Sequence, residues 1–210
     1  MEKENIVRKA YGMNSGQLSD RELMQRVLEN DCDAFESLVN RYKVKLFNLI
    51  YRMIGIKEEA EDILQETFLR VFRERQSYDF QYQFSTWIYT IALNLTKNEL
   101  KKRNRFKFLG IEFLPKEKSY VEGEFSDKES LGYFVEKAIS MMPDKYKEVF
   151  LLRDINQLSY EEISESLSIP LGTVKSRVNR ARLMLRKKLK PKMEGVYELS
   201  KGSTIPVRLL

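Results

Sequence analysis

Histidine is absent from the 210 residues. With it go imidazole zinc ligands, Ser-His and Cys-His nucleophile pairs, and the usual general base near neutral pH, so most common enzyme plans lose a part. The single cysteine, Cys32, cannot close an intrachain disulfide and has no resolving thiol, so it reads as a small, partly buried residue rather than a redox switch. No apolar run reaches the roughly 18 residues of a membrane span, and no signal-peptide pattern opens the chain, so a soluble cytoplasmic protein is expected. Glycine (9) and proline (5) are few and fall mainly at breaks between periodic segments.

What is present is 42% hydrophobic and 32% charged, enough to bury a core in one or two domains. From Ser19 to about Arg105 the apolar residues recur at spacings of three and four, which predicts helices over 19–30, 31–54, 57–75 and 85–104. Ser19 or Asp20, Asp31 and Ser85 are the candidate N-caps. Residues 108–130 turn polar around Pro115 and Gly123 and read as a flexible linker. Helical periodicity resumes at Leu131, restarts with Pro143 in a first-turn position, and runs through Tyr160–Leu167 to a last helix over 172–190. An all-α chain of two helical domains, 19–107 and 131–190, is expected, with 1–17 and 191–210 as flexible tails, the latter of unknown role.

Lys+Arg is 37 against Asp+Glu 31, and the isoelectric point is near 9.2, so the excess matters only where it clusters. It clusters on the last helix: Lys175, Arg177, Arg180, Arg182, Arg186, Lys187, Lys188 and Lys190, with no acid over 172–190. Val174, Val178, Ala181 and Leu185 form an inward stripe on that helix, and the tight turn 168–171 joins it to a short helix carrying Ile163 and Leu167. This is the helix-turn-helix plan. Lys175, Ser176, Asn179 and Arg180, with Thr173 beside them, can then reach base edges while the flanking Arg177, Arg182 and Arg186 reach phosphates; a solvated basic face is the competing reading.

A second basic run, Lys97, Lys101, Lys102, Arg103, Arg105 and Lys107, follows the aromatics Tyr78, Phe80, Tyr82, Phe84, Trp87 and Tyr89. Stacking surfaces beside cations are what unpaired nucleic acid needs. Tyr82 and Phe84, placed in a loop, are the better candidates for a splayed base, whereas Trp87, Ile88 and Ile91 also fit a core stripe. A third feature is acidic: Glu58, Glu59, Glu61, Asp62 and Glu66 crowd one helix. Without a calcium-binding loop or a histidine, they do not read as a metal site. Asp62, Gln65 and Glu66, at i, i+3 and i+4, form a patch suited equally to a basic protein surface or to solvent.

These segments, in this order, resemble the bacterial sigma factors, and the two-domain length resembles their extracytoplasmic-function (ECF) subgroup. The stretch Asp33 to Tyr42 opens like region 2.1, and Ala60 to Phe68 looks like region 2.2, so the resemblance favours polymerase docking for Asp62, Gln65 and Glu66. Phe84 to Asn94 is similar to region 2.3 and Leu95 to Arg105 to region 2.4, which implies opening and reading of a −10 element by Tyr82, Phe84, Trp87, Asn94, Lys97 and Lys101. Met142 to Lys147 is similar to the entry of region 4, with Met142 and Lys147 as departures from Leu and Arg. Leu158 to Ile163 and Gly172 to Arg182 closely resemble its helix-turn-helix, which implies −35 contact by the residues named on the last helix. The resemblance further implies core RNA polymerase, promoter DNA and an anti-sigma factor as partners, and no catalytic residue, metal or cofactor. Three other readings compete: a helix-turn-helix regulator whose first domain senses a ligand or dimerises, a basic helical protein on RNA or an acidic membrane surface, and, distantly, an enzyme.

Overall fold

The computed structural model describes residues 18–108 and 131–199, and all the regular secondary structure among them is helical. The first domain is built from α1 (Asp20–Leu28), α2 (Cys32–Ile54), α3 (Lys57–Arg73) and α4 (Phe84–Phe108), with a single 3-10 turn at Arg75–Ser77. Ser19 closes a capping box with Glu22 at the start of α1, and Asp31 caps α2 through the Ala34 N–H at 3.0 Å. Gly55 ends α2 in the left-handed region at φ 78°, where a side chain is disfavoured. Asp20 accepts from both Arg41 and Tyr42, which fixes α1 against α2. Leu23, Met24, Leu38, Leu46, Ile50, Ala60, Val71, Ile88 and Leu93 are almost wholly buried between the four helices.

The second domain comprises α5 (Leu131–Ser140), α6 (Asp144–Phe150) running into a π-helical turn at Leu151–Ile155, α7 (Tyr160–Leu167) and α8 (Leu171–Leu199). Pro143 lies one residue outside the position expected for it: at ψ 139° it is the N-cap of α6, and its carbonyl accepts the N–H groups of Tyr146 and Lys147. The α7–α8 turn is set by Ser168 in the left-handed region at φ 51°, by Ile169 N–H to Ser164 C=O, and by the returning Ser164 hydroxyl to Ile169 C=O at 2.6 Å. Val174, Val178 and Ala181 are buried, as the stripe predicts, against Val149, Leu151, Leu152, Leu158 and Ile163.

Three expectations change. The helix expected to stop at 190 continues to Leu199, because the good helix formers around Pro191 carry the backbone past the one hydrogen bond that proline removes. Cys32 is exposed rather than partly buried, at the first residue of α2. Ser85 is not an N-cap, since α4 starts at Phe84, and its hydroxyl points to the second domain instead. The linker 109–130, the tail 1–17 and residues 200–210 lie outside the described residues.

The two domains pack directly, and their buried apolar residues form one cluster. Around it the seam is polar. Arg52 of α2 grips Glu136 of α5 through Nε and Nη2, at 2.8 to 3.2 Å, and Ser85, Thr86, Tyr89 and Lys97 of α4 meet Glu162, Ser166, Asn156 and Glu148 of the second domain.

Candidate nucleic-acid interface

The loop before α4 is tied at every step. Arg21 donates to Phe80 C=O at 2.8 Å and lies over the Phe80 ring, Asp79 accepts from the Gln81 N–H at 2.8 Å, and Tyr78 donates to Tyr82 C=O at 2.7 Å. Tyr78 is buried among Phe80, Phe84 and Trp87. The outcome is a rigid loop that holds out one aromatic ring: Tyr82 is 51% exposed. Phe84 corrects the loop reading, because it is 2% exposed, belongs to α4, and packs edge-on against Tyr42. A ring that fills the core cannot also receive a base. Trp87 is half-buried against Tyr78 and Phe84, with part of its surface left at the loop.

Beyond the loop, Asn94, Asn98, Lys101 and Arg105 recur at i, i+4, i+7 and i+11 and form an exposed polar stripe on α4. Asn98 and Arg105 join Asn94 and Lys101 here. For Asn98 the signal was its position one turn after Asn94. The other cations of the run divide by partner. Lys97, at the edge of the stripe, is 2.8 Å from Glu148. Arg103 is turned inward, donating to Ile54 C=O at 3.1 Å, where it meets the open end of α2, with Glu59 at 3.5 Å. It braces the bundle.

On α8 the outward face is as the spacing predicts: Lys175, Ser176, Asn179 and Arg180 are exposed and Thr173 half-buried. The Arg180 guanidinium, hydrogen-bonded to the Tyr146 hydroxyl, holds that phenol below its ordinary value of 10. Lys175 lies 6.0 Å from the Tyr160 ring centroid. Two expected phosphate contacts are engaged within the chain. Arg182 makes a forked pair with Asp154, with Nη2 to Oδ1 at 2.6 Å, and Arg177 approaches Glu148 at 3.6 Å.

On α3, Asp62 and Gln65 are exposed and Glu66 pairs with Arg70 at 3.1 Å. The sequence reading missed Leu69, one turn on from Gln65 and Glu66 and 48% exposed, which adds an apolar centre to the patch. On the opposite face Ala60, Ile63 and Val71 are buried, and so is Thr67, whose hydroxyl is satisfied by Ile63 C=O at 2.7 Å.

A helix-turn-helix domain with a basic outward face, joined to a four-helix domain carrying a fixed aromatic loop and an acidic patch, is the architecture of a promoter-recognition subunit. Family comparison agrees: residues 38–106 match the description "Sigma-70 region 2" and residues 135–185 match "Sigma-70, region 4". The chain is 39% identical over 177 residues to the ECF RNA polymerase sigma factor SigW of Bacillus subtilis, covering 80% of this chain and 95% of the relative. It is 33% identical over 187 residues to the ECF RNA polymerase sigma-E factor of Haemophilus influenzae, covering 84% and 98%. The sigma factor RpoE of Bartonella quintana, solved with the anti-sigma factor NepR, shares the fold at a TM-score of 0.64, with 23% identity and coverage of 74% of this chain and 96% of that one. CnrH, solved with the cytosolic domain of CnrY, shares it at 0.62, with 20% identity and coverage of 82% and 97%. The chain belongs to the sigma-70 family, and within it to the ECF RNA polymerase sigma factors.

Proposed function

We propose that this ECF sigma factor works through three separate surfaces. Asp62, Gln65, Glu66 and Leu69 on α3 dock core RNA polymerase. The exposed face of α8, with Lys175, Ser176, Asn179 and Arg180, reads duplex edges of the −35 element. Tyr82 receives an unstacked base of the −10 strand, with Trp87 beside it and with Asn94, Asn98, Lys101 and Arg105 along the backbone. No bond chemistry is asked of the chain, because opening is held by trapped bases rather than driven by hydrolysis.

The observation that carries this reading is the Tyr78–Gln83 loop. A ring held in place in advance loses little freedom on receiving a base, so its stacking energy goes into holding the strand open. A regulator that reads only duplex DNA has no use for such a loop. One structural neighbour is a sigma factor solved with an anti-sigma factor, which supports a partner of that kind here. Among the described residues no helix is long and apolar enough to cross a membrane, and a cytoplasmic site of action fits the role.

The test is transcription by purified bacterial core polymerase, with and without this protein, on a pool of fragments from its own genome. New start sites preceded by a shared −35/−10 pair are the expected result. Sequence-specific DNA binding without new starts would replace the reading with a helix-turn-helix regulator.

A further inference from the structure

The first turn of α1 holds the loop that presents Tyr82 at both of its ends. Arg21 Nη1 donates to Phe80 C=O at 2.8 Å, and the guanidinium carbon lies 5.3 Å from the Phe80 ring centroid, so one side chain grips the loop by its backbone and by its ring. Asp20, the residue before it, accepts from Arg41 and Tyr42 of α2. The Tyr42 ring in turn packs edge-on against Phe84, with centroids 5.3 Å apart, where the loop enters α4. This mount is itself fixed. Ser19 and Glu22 close the capping box of α1, and Leu23, Met24 and Val27 are buried beneath it.

The ties within the loop, Tyr78 to Tyr82 C=O and the Gln81 N–H to Asp79, set its shape. Arg21 ties that shape to a different helix, 59 residues away in sequence, and does so two residues before the ring that is held out. Without it the tip from Phe80 to Gln83 is free to pivot about Tyr78, and each arriving base has to order the ring again at a cost in affinity. With one face on Phe80 and Nη1 engaged, the guanidinium is a brace in the free protein rather than an open cation. α1 also lies before residues 38–106, the segment matched to the region 2 description.

We infer that Arg21 is a positioning residue for base capture: from α1 it holds Tyr82 in its receiving position, and the first turn of α1 is thereby part of the −10 site without touching DNA. This deepens the reading of Tyr82 as the receiver of an unstacked base and rests on it. Arg21 and Tyr82 then act as a unit, so the effect of replacing one depends on the presence of the other.

The experiment uses the full chain, a single-stranded oligonucleotide from the −10 region of a promoter mapped as above, and a −35 duplex from the same promoter. Affinity and its salt slope are measured for the parent, Arg21→Met, Tyr82→Ala and the double variant. Trp87, the sole tryptophan, packs on Tyr78 at the base of the loop and reports loop mobility through acrylamide quenching without DNA. Arg21→Met is expected to weaken single-strand binding about two- to tenfold, the cost of ordering a side chain that the parent holds ready, with duplex affinity and salt slope unchanged and Trp87 more readily quenched. In the Tyr82→Ala background the same substitution should cost nothing further. A fraction of unfolded chain would weaken binding equally in both backgrounds, so the cycle stays decisive if Arg21→Met lowers the melting temperature. A loss that persists without Tyr82 and reduces the salt slope by about 0.7 would make Arg21 a phosphate contact and overturn the inference. Parent-like affinity in Arg21→Met beside a clear loss in Tyr82→Ala would overturn it while the base receiver stands. If Tyr82→Ala itself binds as the parent does, the assignment of Tyr82 fails first, and the role of Arg21 with it.

Discussion

Tyr78 donates its hydroxyl to the backbone carbonyl of Tyr82 at 2.7 Å, so a buried ring fixes the main chain of an exposed one. The first predicted consequence concerns opening. Tyr82→Ala loses about 1–3 kcal/mol of affinity for a −10 oligonucleotide with unpaired bases, the stacking contribution of one base, while Tyr82→Phe keeps most of it. Tyr78→Phe falls between them, because the ring stays but its position is no longer held. Binding to single-stranded and fully duplex −10 fragments, measured side by side, separates these outcomes, since only the single-stranded affinity should change.

The stripe Val174, Val178, Ala181 is a local period, and the turn at Ser168–Pro170 is local chemistry, so the helix-turn-helix is legible in the sequence. Which aromatic of the run 78–89 is buried is decided elsewhere, by Tyr42 packing on Phe84 and by Arg21 reaching Phe80 across 59 residues of sequence. Phe84 was therefore misplaced in a loop while Tyr82 was not. The cations tell the same story. Composition marks Lys97, Arg103, Arg177 and Arg182 as DNA-ready, yet each meets a carboxylate whose proximity only the tertiary fold creates.

Arg180 and Arg182 lie two residues apart on α8 and should behave differently. Arg180 is exposed on the reading face, whereas Arg182 is forked onto Asp154. Arg180→Ala should relax discrimination at one −35 position by about 1–3 kcal/mol, provided its contact is bidentate to a base. Arg182→Ala should leave discrimination unchanged and lower thermal stability by no more than about 1 kcal/mol, as expected of a partly exposed pair. Affinities for the specific and a scrambled duplex, together with melting curves, read both. Equal weakening on both duplexes would make Arg180 a phosphate contact.

Docking is tested on α3. Asp62→Lys combined with Gln65→Ala cancels the negative charge of the patch and should abolish binding to core polymerase while −35 duplex binding by the full chain persists. Leu69→Ala alone removes an exposed apolar centre and should weaken polymerase binding by about 1–2 kcal/mol without lowering the melting temperature. Pull-down or fluorescence titration with core polymerase decides, and polymerase affinity retained in the double variant would remove α3 from the interface.

Glu162 predicts an acid dependence. Partial burial pushes its carboxyl up, but hydrogen bonds from the Ser159 backbone N–H and the Ser85 hydroxyl, with the Ser159 side chain, outweigh burial and hold it below the usual 4.5. A carboxylate whose folded value is lowered stabilises the folded state fully above its unfolded value, and that contribution is lost as pH falls through the lowered value. Stability of the α7 cap and of the Ser85 contact should therefore be flat above about pH 5 and decline in the acid range below 4.5. Denaturant melts at stepped pH should show a shallower acid limb in Glu162→Gln than in the parent, and identical limbs would remove Glu162 from the linkage.

Lys101 and Arg103 are neighbours in one basic run, and the fold gives them opposite tasks. Lys101 is exposed on the Asn94–Asn98–Arg105 stripe, so Lys101→Ala should weaken binding evenly across sequences and reduce the salt slope of promoter affinity by about one, leaving the melting temperature unchanged. Arg103 donates to the carbonyl of Ile54, at the end of α2, and forms an ion pair with Glu59, whose Oε2 is buried with no hydrogen bond. Arg103→Met keeps the length of the side chain but leaves that carboxylate and that carbonyl without their cation. It should lower stability by about 1–3 kcal/mol, the range for losing a charged hydrogen bond, while the salt slope stays as in the parent. Melting curves and salt titrations on the two variants form a crossed pair. If Arg103→Met altered the salt slope and Lys101→Ala the stability, the division of the α4 cations into bracing and nucleic-acid groups would be reversed.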